Sequence, residues 1–236
     1  RKKKKDTNFW KYVSITNKAT RKILSQTMSQ DKVTLIYFNG PGRAELARLA
    51  LHAGGIAFED KRLTMEEFGA LKTDKEKPGP GQKFGSLPIL IHGDLQLAQS
   101  QAISLYSSEI GLQKGLTVKQ RAVDSMYLGA HADMQSAMYK CLFGSDESKA
   151  AGKKALPARM AVLLGGVEMN LPKSGFIHGL ASPSIGDLAL FDICTSAFPG
   201  AVALGVDLKP YPKLNALLAG VKTFGPLKAY LDKRGF

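Results

Sequence analysis

Cysteine is nearly missing from this chain. Cys141 and Cys194 are the two in 236 residues, far apart and each in an apolar helical context. That count and spacing support neither a disulfide framework nor a CxxC redox or zinc site, and suit a reducing compartment. No apolar run approaches the ~20 residues that span a bilayer, so no transmembrane segment is predicted. Acid is scarce at one end. Residues 1–30 hold one acid, Asp6, against nine Lys or Arg, so they carry +8 of the net +13. The other 206 residues are only mildly basic, and the high overall charge describes the first 30 rather than the domains behind them. No internal repeat occurs. With 44% hydrophobic residues the chain is globular and long enough to bury a core in one domain or two.

The acid-poor segment is also the first positive feature. Residues 1–5 are five consecutive cations, followed by Phe9, Trp10, Tyr12, Val13 and Ile15. Residues 1–31 read as a basic N-terminal arm. A charged tip beside an aromatic stretch suits an acidic protein partner or an anionic surface. No nucleic-acid motif accompanies the charge run, so no specific nucleic acid is expected. The composition keeps an organellar address open beside the cytoplasmic one.

The remainder is organised around residues 33–45. Val33, Leu35, Ile36, Tyr37 and Phe38 predict a strand, broken by Asn39-Gly40-Pro41-Gly42. Leu46, Leu49, Ala50 and Ala53 then predict a helix, ended by Gly54-Gly55. Tyr37 and Arg43 thus sit where a strand turns into a helix, a place where open α/β sheets bind ligands. Residues 56–63 predict a second strand and 65–72 a short helix. Residues 73–83, with Lys77-Pro78-Gly79-Pro80-Gly81, exclude a regular element. Pro88 opens the strand that ends at His92, Gly93-Asp94 makes a hairpin turn, and 95–98 form the next strand. Ser100 is predicted to cap the helix that follows.

From Leu116 onward every segment reads as helix. One long helix follows the capping box at Thr117 and Gln120. A second is predicted over about 155–170, with Pro157 in its first turn. Ser184 and Asp187 predict another capping box ahead of an apolar helix over 188–197, and two helices starting near Pro212 and Pro226 close the chain. The predicted architecture is an α/β domain of order βαβαββα over residues 32–112, then an all-α domain over 116–236. Met126, Met134 and Met138 read as core or pocket lining, and His131 as a helix-surface residue.

Four blocks in this order resemble the glutathione transferase superfamily, and most closely its sigma class, which includes glutathione-dependent prostaglandin D synthases. They are Tyr37-Phe38-Asn39 with Gly42-Arg43-Ala44-Glu45; Phe84-Gly85-Ser86-Leu87-Pro88-Ile89-Leu90; Gln99-Ser100 with Ala102-Ile103; and Ser184-Ile185-Gly186-Asp187. The resemblance covers about residues 32–236 and implies a thioredoxin-like N-terminal domain, glutathione as co-substrate, a small hydrophobic electrophile as second substrate, and a homodimer. It implies that the Tyr37 hydroxyl hydrogen-bonds the glutathione sulfur and that Arg43 supports it. Without such help little of a free thiol, with a pKa near ~8.5, is thiolate at neutral pH. It implies a cis Pro88 that turns the Leu87 backbone toward the cysteinyl part, and Gln99 and Ser100 at the γ-glutamyl carboxylate. Phe38, Phe68 and Lys72 are placed along the glutathione site, the last two near its glycyl end. Asp133, one position out of register, matches an acid contributed across the dimer.

Two departures stand out. Ser86 replaces a lysine, for which Lys75, Lys77 or Lys83 are candidate substitutes, and the 73–83 stretch is long. Since no cysteine lies near Tyr37, the thiol-based branches of the superfamily are disfavoured. The alternative function is a non-catalytic subunit of the same fold, docked into a larger assembly through its arm.

Overall fold

The computed structural model describes residues 31–113, 115–196 and 200–234. The expectations for residues 1–30, including their acidic partner or anionic surface, lie outside the described residues.

The first half is β1 (Val33–Phe38), α1 (Glu45–Ala53), β2 (Phe58–Leu63), α2 (Met65–Thr73), β3 (Ile89–His92), β4 (Leu95–Ala98) and α3 (Ser100–Gly111). The sheet order is β2-β1-β3-β4, with β1 parallel to β2 and β3 antiparallel to both of its neighbours. This is the expected thioredoxin-like order. Strand periodicity divides the side chains between two layers. Val33 and Leu35 of β1 and Leu90 of β3 pack with Ala47 and Leu51 of α1 and Ile103 of α3. Ile36 and Ile89 point the other way and pack with Leu63, Leu87, Ala98 and the half-buried Phe68 and Leu71 of α2.

The second half is α4 (Val118–Tyr139), α5 (Asp146–Asn170), α6 (Ile185–Phe191), α7 (Pro212–Thr223) and α8 (Gly225–Arg234). Its core runs into the first half. Leu46, Leu49, Ala50 and Ala53 of α1 pack in the same cluster as Tyr127, Met134, Ile185, Leu188 and Leu231. Helix α1 is thus covered by the sheet on one side and by helices on the other. That double cover explains why its two charged residues, Glu45 and Arg48, are fully buried.

Several sequence expectations need correction. Strand β2 starts at Phe58 rather than residue 56, because the Ile56 N–H bonds back to the Leu51 carbonyl and completes the exit from α1. Helix α5 starts at Asp146, not near 155. Ser145 caps it by accepting from the Ser148 N–H at 3.2 Å, and Asp146 and Glu147 suit the positive end of the helix dipole. Pro157 therefore lies inside the helix, on its exposed side, where water can take up the acceptor it leaves. The apolar helix after Ser184 is α-helical only to Phe191 and continues as a π turn over Asp192–Ser196.

Ser100 is the first residue of α3 rather than its cap. The cap position is Gln99, and no side chain caps this helix. His131 is not a surface residue. It is buried, with Nε2 2.8 Å from Asp192. Met134 and Met138 are core, as expected, but Met126 is 51% exposed and is not part of the core.

Candidate active site

The register of the sheet assembles the site. Ile36 pairs with Ile89, and Ile89 pairs with Ala98. The next residue of each segment toward one edge is Tyr37, one before the end of β1, Pro88 before β3 and Gln99 after β4. Three segments distant in sequence therefore meet at one end of the sheet. Leu87, Tyr37, Phe38 and Phe68 share an apolar cluster there. Phe38 meets Phe68 edge-on at 5.2 Å between centroids, and the Lys72 ammonium lies 5.8 Å from the Phe68 ring. The Leu87–Pro88 peptide is cis, as the resemblance implies.

Tyr37 is half-buried, and its ring lies under the turn between β1 and α1. The Arg43 backbone N–H donates to the Tyr37 hydroxyl at 3.1 Å. A phenol oxygen that accepts there still has its own O–H to donate. Gly42 lets the turn come this close. A Cβ at this position would stand 2.6 Å from the hydroxyl oxygen and 2.9 Å from Cε1, and the backbone φ is +46°. The Arg43 guanidinium does not bond the hydroxyl. It reaches to the helical half and lies 4.9 Å over the Tyr139 ring of α4. Burial is the main cause that pushes Tyr139 up to about 12, with Tyr37 adding and Arg43 opposing.

At the third segment, Gln99 adopts φ 72°, ψ 113°, a conformation that an L-residue holds only against strain of ~1–3 kcal/mol. Helix α3 begins directly after it without a side-chain cap, so its first amides point out of the sheet end with the dipole behind them.

The remaining candidates divide. The Lys72 side chain passes close to Gly85, in the loop that leads to Ser86 and Leu87: a Cβ at Gly85 would stand 3.6 Å from its Cε. Lys75 is committed to its own loop, where Nζ donates to the Gly81 carbonyl at 2.6 Å, and Lys77 pairs with Asp74 at 3.5 Å. The long 73–83 stretch is braced, with Gln82 and Gln96 side chains donating to its carbonyls. Asp133 is not brought to this cluster. It lies in a groove of about 380 Å³ with Ser136, Lys140, Leu156 and Arg159, paired to Arg159 at 3.3 Å. Both cysteines are buried away from Tyr37, and burial pushes the Cys194 thiol up to about 12.

The sequence reading missed Arg48. Its Nη1 donates to the carbonyls of Gly40 and Pro41 at 2.8 and 3.1 Å, its Nε reaches Asp60 at 3.1 Å, and its guanidinium lies 5.8 Å from the Tyr37 ring centroid. A signal was present: Glu45 and Arg48, three apart, are the only charges in an otherwise apolar helix stretch. Such a pair in a buried helix reads as an internal ion pair.

Comparison with known proteins agrees with this fold. The pattern of the glutathione S-transferase N-terminal domain matches residues 33–109, and that of its C-terminal domain matches 132–234. A chain 32% identical, glutathione S-transferase P 2 of Bufo bufo, aligns over 78% of this chain and 91% of its own length. The chain belongs to the glutathione S-transferase family. Glutathione S-transferase 1 of Ascaris suum is 36% identical over 56% of this chain and 63% of its own length, so the match spans less than two thirds of that relative. Among solved structures, the sigma-class glutathione S-transferase of Fasciola hepatica superposes with a TM-score of 0.71 at 26% identity, covering 86% of this chain and 97% of that one. The transferase fold thus extends over both halves. Among the described residues no helix is long and apolar enough to cross a membrane.

Proposed function

We propose that this protein is a glutathione transferase in which Tyr37 activates the thiol. The observation that carries the reading is the Tyr37 hydroxyl, held by the Arg43 N–H at the sheet end where Leu87-Pro88 and the uncapped start of α3 meet. The hydroxyl oxygen accepts from Arg43, so its proton is free to donate to a sulfur anion and stabilise it. The thiolate then attacks a small hydrophobic electrophile, forming the C–S bond as the leaving group departs or the electrophile's π bond opens. The Leu87 backbone pairs with the cysteinyl part of glutathione as an added strand would. The α3 amides at Gln99 and Ser100 receive the γ-glutamyl carboxylate. Lys72, over Phe68 and beside Gly85, supplies the cation at the glycyl end that Ser86 lacks. Tyr139 lies on the far side of Arg43 and belongs to the wall of the second-substrate site.

The functional unit in this reading is a homodimer. Asp133 enters it only across the subunit boundary, since within one chain it pairs with Arg159 away from the cluster.

The test is retention on immobilised glutathione followed by a conjugation assay with an aromatic halide. Tyr37→Phe should keep glutathione affinity and lower turnover by about 10- to 150-fold, the equivalent of losing a ~1.5–3 kcal/mol hydrogen bond to a charged group. Equal turnover in variant and parent refutes the role of Tyr37. Retention without conjugation by the parent supports the non-catalytic alternative instead.

A further inference from the structure

The turn that holds the Tyr37 hydroxyl is itself held by a buried chain of charges that ends on the last helix. Glu45, fully buried, accepts from the Tyr230 hydroxyl at 2.7 Å and from Arg234 at 3.1 Å, both on α8. Its second oxygen also meets Arg48 Nη1 at 3.2 Å. Arg48 in turn donates to the Gly40 and Pro41 carbonyls, the two peptides that precede Gly42 and Arg43. Asp60 fixes the other edge of the Arg48 guanidinium, and Arg62 holds Asp60 at 2.6 Å and touches Asn39 at 3.4 Å. Every residue of the turn from Asn39 to Pro41 is thus tied to one of two arginines. The next peptide N–H is the one on Tyr37.

We propose that Tyr230 and Arg234 of the C-terminal helix are positioning residues for the thiol chemistry, acting through Glu45 and Arg48 on the turn that sets the Tyr37 hydroxyl. The inference rests on the reading of Tyr37 given above. Its physical basis is that a buried carboxylate must be paired, and each partner that it loses shifts the others. With Tyr230 and Arg234 in place, Glu45 shares its charge between α8 and Arg48. With the Tyr230 hydroxyl gone, one Glu45 oxygen loses its donor in a dry site, and Arg48 must move to compensate. Arg48 Nη1 cannot follow Glu45 without lengthening its bonds to Gly40 and Pro41. Burial holds Glu45 above the usual carboxylate range, and the Asp192 charge adds to this. Asp192 is engaged with His131, and His52 stacks on the Tyr230 ring at 4.2 Å. The link joins the two halves of the molecule: the thioredoxin-like domain carries Tyr37, but its geometry depends on the last helical turn of the chain.

The experiment follows the ultraviolet absorbance of the bound glutathione thiolate against pH in the full-length parent, in Tyr230→Phe, in Tyr37→Phe and in the double variant. In the parent background Tyr230→Phe should raise the apparent pKa of the bound thiol by roughly half a unit, which is about threefold less thiolate below the midpoint. Turnover should fall by a similar factor, with the glutathione KM within about twofold. In the Tyr37→Phe background the same substitution should have no further effect, because the two act through one hydroxyl. Arg234→Gln, at the half-exposed end of the network, provides a milder second variant and should shift the titration in the same direction. If Tyr230→Phe and Arg234→Gln titrate like the parent and only melt earlier, the network is structural and the inference fails while the Tyr37 reading stands. If the parent binds glutathione without forming thiolate, the Tyr37 reading fails and takes this inference with it.

Discussion

Replacing Gly42 with alanine separates the tyrosine from the rest of the site. The added methyl would stand 2.6 Å from the Tyr37 hydroxyl and 2.9 Å from its ring, closer than any real contact, and the residue would sit at φ +46°. Two costs follow. The left-handed backbone costs an L-residue about 1–2 kcal/mol. In a chain of this length that lowers the melting temperature by roughly 2–8 °C. The second cost falls on chemistry. Either the phenol or the Arg43 N–H must move, and the hydroxyl leaves the position from which it donates to sulfur. If that bond contributes ~1.5–3 kcal/mol, turnover falls by about 10- to 150-fold. Leu87 before β3, and Gln99 and Ser100 at the start of α3, lie on other segments and keep their places, so glutathione affinity should change less than about threefold. The assay is steady-state conjugation with varied glutathione, alongside calorimetric melting. Unchanged turnover with the expected loss of melting temperature would refute the claim that the turn sets the hydroxyl for catalysis. An equal loss of affinity and turnover would mean that the turn contacts glutathione itself.

In the same reading the Ser100 hydroxyl joins the backbone amides at the γ-glutamyl carboxylate and does not reach the sulfur, so Ser100→Ala should weaken glutathione binding by roughly tenfold while saturated turnover holds; calorimetric titration checks this. Asp187 gives a pH prediction. Burial first, with the Asp124 charge adding, pushes it up to about 6, against donation by Ser184 and Ile177. A carboxyl held above its unfolded value of ~3.9 binds its proton more tightly when folded, so the stability it contributes is complete below that value and is lost as pH rises through about 6. Asp187→Asn stays neutral and should gain on the parent over roughly pH 4 to 6, by at most ~3 kcal/mol; urea midpoints that differ by a constant amount across that window would contradict it. Deleting residues 1–30 should leave retention on immobilised glutathione unchanged and remove any salt-sensitive association with an acidic partner; loss of retention would show that the arm supports the site.

The elements themselves were legible because their signals are local. A β-branched and aromatic run that meets Asn39-Gly40-Pro41-Gly42, a Gly93-Asp94 hairpin, and the capping residues Thr117 with Gln120 all act within a few positions of each other. Tyr37 could be placed for the same reason, at the end of a readable strand, whereas Leu87-Pro88 and Gln99-Ser100 were named through the resemblance to the transferase family. The limits of α5 were harder, because Pro157 is a strong local signal that burial of Leu156, Met160 and Leu164 overrides. His131 and Met126 were misread because helix periodicity tolerates either placement until the neighbouring helix is known.

What lies beyond the sequence is the meeting of distant groups. Nothing in local pattern says that Arg43 offers its N–H to Tyr37 and its guanidinium to Tyr139, or that Tyr230 and Glu45, 185 residues apart, share a hydrogen bond. These depend on α1 being covered on both sides, which removes water from Glu45 and Arg48 and makes their partners obligatory. Pairing rules over a few residues determine the strands, helices and turns; the burial created when the two halves close over α1 decides which charges are held beneath Tyr37.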